Sequence, residues 1–239
     1  MSSWRSALFG AALTLLSGVA QALPITFSFI STVAEVDPPL AGMATVGDTL
    51  RGTFTFDSAA LSEPSDAPGM RAIYPEAGSA LTLTVGTYTA RATGFYITIL
   101  NDWIADGAFL GDRFLVATTH ESQVDAPNVG EYAFGSFALL VADPTGTMFD
   151  SIAIPTSTRP FEGRSYDSVA HLGLQKPLFL NAFLGAGIRA EDVALATVPE
   201  PSTFALLSFS LLGVCFASRR RVPAASPQGI ERRATNPGP

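Results

Sequence analysis

The stretch "ALTLTVGTYTARA", Ala80 to Ala92, decides the fold. Leu81, Leu83 and Val85 alternate with threonines, the period of a strand with one apolar face. Gly86-Thr87 follows, and then Tyr88 opens a second run. Glycine first in a two-residue connection suits a type II′ turn, whose twist matches the strands on either side. The stretch therefore reads as an antiparallel hairpin.

The same pattern recurs on both sides. "ITFSF" (25–29) puts Ile25, Phe27 and Phe29 on one face, and "TLRGTFTFD" (49–57) does so with Leu50, Phe54 and Phe56. "GFYITIL" (94–100) and "RFLVATT" (113–119) are β-branched and aromatic runs of strand length. "EYAFGSFALLVADPTGTMFDSIAIP" (131–155) reads as a further hairpin around Asp143-Pro144-Thr145-Gly146, where Pro144 presets φ and Gly146 tolerates the left-handed region. "LFLNAFL" (178–184) and "DVALATV" (192–198) suggest two late strands, with a turn or two of helix around Gly185 to Asp192. About eight to eleven strands at this spacing, without crossover helices, predict an all-β fold. The expectation is an antiparallel β-sandwich, jelly-roll-like, over residues 23–197.

Both ends carry a different pattern. Arg5, the uncharged apolar run Ala7 to Val19 and the small residues of Ala20-Gln21-Ala22 form a signal peptide over 1–22, with signal peptidase cutting after Ala22. Near the other end, Pro199-Glu200-Pro201 makes a stiff extended spacer. Residues 201–218 carry no charge, and Ser202 can cap a transmembrane helix over 203–218. Arg219, Arg220 and Arg221 stop transfer and lie in the cytoplasm by the positive-inside rule.

In this order, over residues 198–221, the constellation resembles the PEP-CTERM sorting signal of Gram-negative bacteria. The resemblance covers about a tenth of the chain. It implies that an exosortase recognises Pro199, Glu200 and Pro201 as elements of its substrate, cuts nearby, and releases or transfers the protein. It also implies a transient inner-membrane intermediate, a destination at the cell surface or extracellular matrix, and exopolysaccharide as a partner. Members usually end soon after the arginines. This chain continues through 222–239, Pro-rich and without periodicity, as a disordered tail. "GDTLRGTFTFD" and "AGSALTLTVG" also resemble the ectodomain of many such proteins, which implies a β-sandwich and no particular chemistry.

Charge and cysteine content narrow the function. Residues 23–198 hold 8 basic and 19 acidic side chains, a net of −11, which excludes nucleic acid as a partner. Cys215, inside the apolar C-terminal run, is the one cysteine, so neither an intramolecular disulfide nor a cysteine zinc site is available.

Candidate site residues are scattered. His120-Glu121 lacks the second histidine of H-E-x-x-H, because Val124 stands there. His171 has Asp167 and Ser168 nearby but no nucleophile elbow. Asp102, Asp106 and Asp112 could gather around calcium, although their spacing is not that of an EF-hand. Trp103, Tyr96, Tyr132 and Tyr166 could stack on sugar rings. The expectation is a structural or interaction protein of the cell envelope or exopolysaccharide matrix, with no catalytic residues, no metal and no cofactor. Its alternatives are a carbohydrate-binding module, an extracellular hydrolase and a permanently anchored protein.

Overall fold

The computed structural model describes residues 24–162, 166–177 and 183–198. The signal peptide with Ala20 and Ala22, the sorting residues Pro199, Glu200 and Pro201, the span 203–218, Arg219 to Arg221 and the tail 222–239 lie outside them. Among the described residues no helix is long and apolar enough to cross a membrane.

Eight strands are described: β1 (Pro24–Val36), β2 (Thr49–Asp57), β3 (Arg71–Val85), β4 (Tyr88–Ala105), β5 (Ala108–Asp125), β6 (Ala133–Asp143), β7 (Asp167–Pro177) and β8 (Phe183–Thr197). Each pairs antiparallel with its neighbours in sequence, and β8 returns to pair with β1, closing a barrel. This corrects the expected sandwich. A jelly roll needs strands that cross between two sheets, whereas here every connection joins adjacent strands. Closure also removes both sheet edges.

The turn that decided the fold is present. Val85 faces Tyr88, Gly86 sits at φ +53° and Thr87 stays at negative φ, as a type II′ turn requires. The β4–β5 turn is Asp106-Gly107, at φ 51° and 77° between the paired Ala105 and Ala108, which is type I′ geometry.

Two expectations are corrected locally. Strand β6 ends at Asp143, and the turn to Gly146 forms with the Gly146 amide donating to the Asp143 carbonyl at 3.2 Å. The chain after it does not return as a strand; β6 pairs with β5 and β7 instead. Met148, Phe149 and Ile154 of that segment are buried, so its apolar residues form a strap against the core. Residues 185–192 are strand β8 and not helix: Ala186, Ile188 and Ala190 alternate inward at 5%, 0% and 0% exposure. Glycines at 185 and 187 disguised that period of two.

Eight strands leave an interior just wide enough for side chains to fill it. Phenylalanines do so here. Phe54 lies 5.6 Å from Phe27, 6.4 Å from Phe29, 6.0 Å from Phe56, 6.4 Å from Phe95 and 6.1 Å from Phe114. Gly52 makes room for them, since a Cβ there would meet the Phe29 ring at 2.7 Å. Phe161, beyond the strap, reaches Phe114 at 5.1 Å and Phe149 at 6.0 Å, so the interior is plugged at that end. Leu40, Met43 and Ala44 of the β1–β2 connection are buried in the same core.

Candidate functional site

With the interior filled by rings, the recess of interest lies on the outer face. Three strands depart from regular pairing at one place. Tyr74 and Gly78 of β3 face Ile97 and Phe95, so residues 75–77 have only Tyr96 opposite. Thr93 and Phe95 of β4 face Gln123 and Thr118, so residues 119–122 have only Gly94 opposite. Both bulges therefore bow away from β4 around Gly94 and Tyr96. Bulges kink a strand, re-aim its side chains and gather near functional sites.

Hydrogen bonds hold the wider bulge in shape. The Ser122 hydroxyl donates to the Gly94 carbonyl at 2.8 Å and accepts the Thr119 amide at 2.9 Å. The Thr119 hydroxyl accepts the Glu121 amide at 3.1 Å. Gly94 takes φ +72°, and nothing lies within 4 Å of where its Cβ would stand. The β2–β3 connection supplies a further wall, where the Glu63 amide donates to the Ile73 carbonyl at 2.8 Å.

The result is an open groove of about 830 Å³. Ile73, Pro75, Gly94 and the half-buried Tyr96 give it apolar surface. Thr93, Thr119, Gln123, Glu63 and Glu121 supply hydroxyl, amide and carboxyl groups, and among the described residues no lysine or arginine lines it. Chemically the groove presents apolar surface beside hydrogen-bonding groups.

Among the four aromatics considered for sugar stacking, Tyr96 lines this groove. Tyr132 and Tyr166 pack against the core, and the Tyr166 hydroxyl donates to the Pro160 carbonyl at 2.5 Å. Trp103 is half-buried on β4 opposite Gly111. His120 and Glu121 belong to the 119–122 bulge and approach each other at 3.6 Å, both exposed. Sequence reasoning singled out Tyr96 and Glu121, but missed Glu63 and Gln123, because only strand register brings them together.

Other candidates separate. Asp167 and His171 share one face of β7 but stand four residues apart, roughly 13 Å along a strand, and Ser168 has the opposite parity. The Ser168 hydroxyl oxygen accepts the Val193 amide at 2.8 Å. The structure does not assemble the three as a triad. Exposed His171 instead lies over Gly187, where a Cβ would meet its Nε2 at 2.7 Å.

Asp102, Asp106 and Asp112 have three different roles. Asp106 forms the type I′ turn, and Asp102 stands at a β4 bulge with φ 52°. Asp112, fully buried, accepts the Asp102 amide on Oδ1 and the Met148 and Phe149 amides on Oδ2, all at 2.8 Å. Its oxygens thus anchor the strap. Among the described residues no group of three or more His, Cys, Asp or Glu side chains is placed to hold a metal ion.

Asp143 faces Asp112 across the β5–β6 pair. It accepts the amide and hydroxyl of Thr145 at 2.9 and 2.6 Å and those of Thr147 at 2.9 and 3.0 Å. Burial alone would raise this carboxyl, but those four hydrogen bonds outweigh it and hold the pKa at about 2. A carboxyl depressed from the unfolded value near 3.9 contributes stability above that value, which is lost as pH falls toward the folded pKa. The wild type is expected to lose up to about 2 kcal/mol from this group between roughly pH 4 and pH 2. Asp143→Asn should be less stable at neutral pH and flatter across that window. Urea midpoints measured from pH 2 to 5 check this; parallel curves for the two proteins would contradict it.

These features define a class: an eight-stranded antiparallel barrel with a filled interior and an external groove. Beyond it, residues 197–221 match the PEP-CTERM protein-sorting motif, so the chain carries that motif from the last residue of its closing strand onward. The motif marks a protein that exosortase sorts to the cell surface by way of a membrane-anchored intermediate. No curated protein and no solved structure matches the chain.

Proposed function

We propose that this is an interaction protein of the cell envelope or exopolysaccharide matrix, delivered by exosortase and acting by binding rather than by turnover. The observation that carries the reading is the position of the sorting motif. It begins at Thr197, the last residue of β8, and the Val198 amide still donates to the Thr26 carbonyl at 2.9 Å. Cleavage near Pro199, Glu200 and Pro201 would remove the anchor and leave every barrel strand whole. The filled interior leaves the outer surface to meet partners, and the groove around Tyr96 is the candidate working surface. The separation of Asp167, Ser168 and His171 supports binding over hydrolysis.

Intact mass by cell fraction tests the delivery. The expected species starts at Leu23, lacks everything after roughly Pro201 and is recovered outside the cell or at its surface. A species that retains Arg219 to Arg221 and stays in the inner membrane would refute delivery and leave a permanently anchored barrel.

A further inference from the structure

We propose that the groove around Tyr96 binds an uncharged glycan chain. The inference rests on the reading of the groove as the working surface and names its ligand class. Three properties point there. First, the groove is open to solvent, as a polymer requires and a small buried metabolite does not. Second, a sugar ring has an apolar face of C–H groups and a rim of hydroxyls. Tyr96, with Ile73 and Pro75 beside it, offers the apolar platform, and Thr93, Thr119, Gln123, Glu63 and Glu121 offer the acceptors and donors for the rim. Tyr96 stands opposite the bulge at 75–77, where β3 carries extra residues and leaves regular register with β4.

Third, charge selects against the other polymers. Glu63 and Glu121 face the groove with no lysine or arginine among its described lining, and residues 23–198 carry a net of −11. An anionic polysaccharide would be repelled from it. A cationic peptide would be attracted, but the lining has more neutral hydrogen-bonding side chains than carboxyls. Carboxyl groups also accept well from paired sugar hydroxyls, so Glu63 and Glu121 serve an uncharged glycan without a cation.

The test is affinity electrophoresis of the protein recovered from producing cells, run through gels containing dextran, laminarin, hydroxyethylcellulose or alginate, with soluble oligolysine titrated separately. Retardation is expected in at least one uncharged gel and not in alginate, with little dependence on salt. Tyr96→Ala should weaken that retardation by roughly tenfold or more, and Trp103→Ala should leave it unchanged. Gln123→Ala, at an exposed position, gives a second reading if Tyr96→Ala folds poorly. Absence of retardation in all three uncharged gels overturns the proposal. So does retardation that neither variant weakens, or tighter binding to alginate or oligolysine. The mass and location of the same preparation report on delivery separately, so a surface-recovered protein that ignores every uncharged gel refutes the ligand class alone.

Discussion

Phe54→Ala is expected to destabilise the barrel by about 4 kcal/mol, read as a drop in the urea midpoint. Phe54 is fully buried and meets five other phenylalanine rings within 6.4 Å. Those rings come from β1, β2, β4 and β5, so no single neighbour can move in to fill the space. Removing a ring loses its transfer free energy and leaves a cavity, and the second cost is high where walls are held by a closed hydrogen-bonded barrel. Phe54→Leu keeps most of the volume and should cost under about 2 kcal/mol. Phe109→Ala is the control: that ring is 51% exposed near the β4–β5 turn and should change stability by less than about 1 kcal/mol. If Phe54→Ala and Phe109→Ala cost the same, the ring cluster is not what fills the barrel.

Most strands were legible in the sequence because each carries its own alternation, but β7 was not read as a strand and β8 only from Asp192 onward. Leu81, Leu83 and Val85 read as an inward face without knowledge of any partner, and all three are at most 1% exposed. Gly86-Thr87 was equally local, since the turn type follows from two residues. Closure was not legible. The pairing of Phe27 with Thr197 joins residues far apart in sequence, and nothing in either segment names the other. A sandwich and a barrel can share the same strand pattern. They differ in which edges meet, and that is decided by packing of all eight inward faces at once.

The groove shows the same limit at smaller scale. A bulge is a mismatch between two strands, so residues 119–122 cannot be recognised as one until Gly94 is placed opposite them. Tyr96 stood among four candidate aromatics with no basis for preferring it. Met148, Phe149 and Ile154 misled for a related reason: an apolar run after a good turn looks like a returning strand, but the barrel already had its neighbour for β6 in β7. The aspartates were ambiguous in the sequence. Clustered carboxyl groups suggest a cation, whereas Asp112 meets three backbone amides.

That arrangement makes Asp112→Ala the other large effect, an expected loss of about 3 kcal/mol with the strap released before the barrel unfolds. Three amide N–H groups lose their acceptor at once, two of them, from Met148 and Phe149, in a buried setting. Each orphaned donor costs on the order of 1–3 kcal/mol unless water reaches it, and opening the strap is the way water reaches them. Asp112→Asn should not rescue the loss. An asparagine has a single acceptor oxygen, so its NH₂ would face either the Asp102 amide or the pair from Met148 and Phe149, donor against donor. Limited chymotrypsin digestion after Phe149 separates strap opening from global unfolding. Phe149 is 8% exposed and stacked edge-on against Phe161, which shields it in the wild type. In Asp112→Ala, cleavage there should appear at urea concentrations below the main unfolding midpoint, because the β5–β6 ladder at residues 113–117 does not depend on the strap. Cleavage that appears only at the midpoint would mean that strap and barrel open as one unit, with Asp112 bracing the whole closed end.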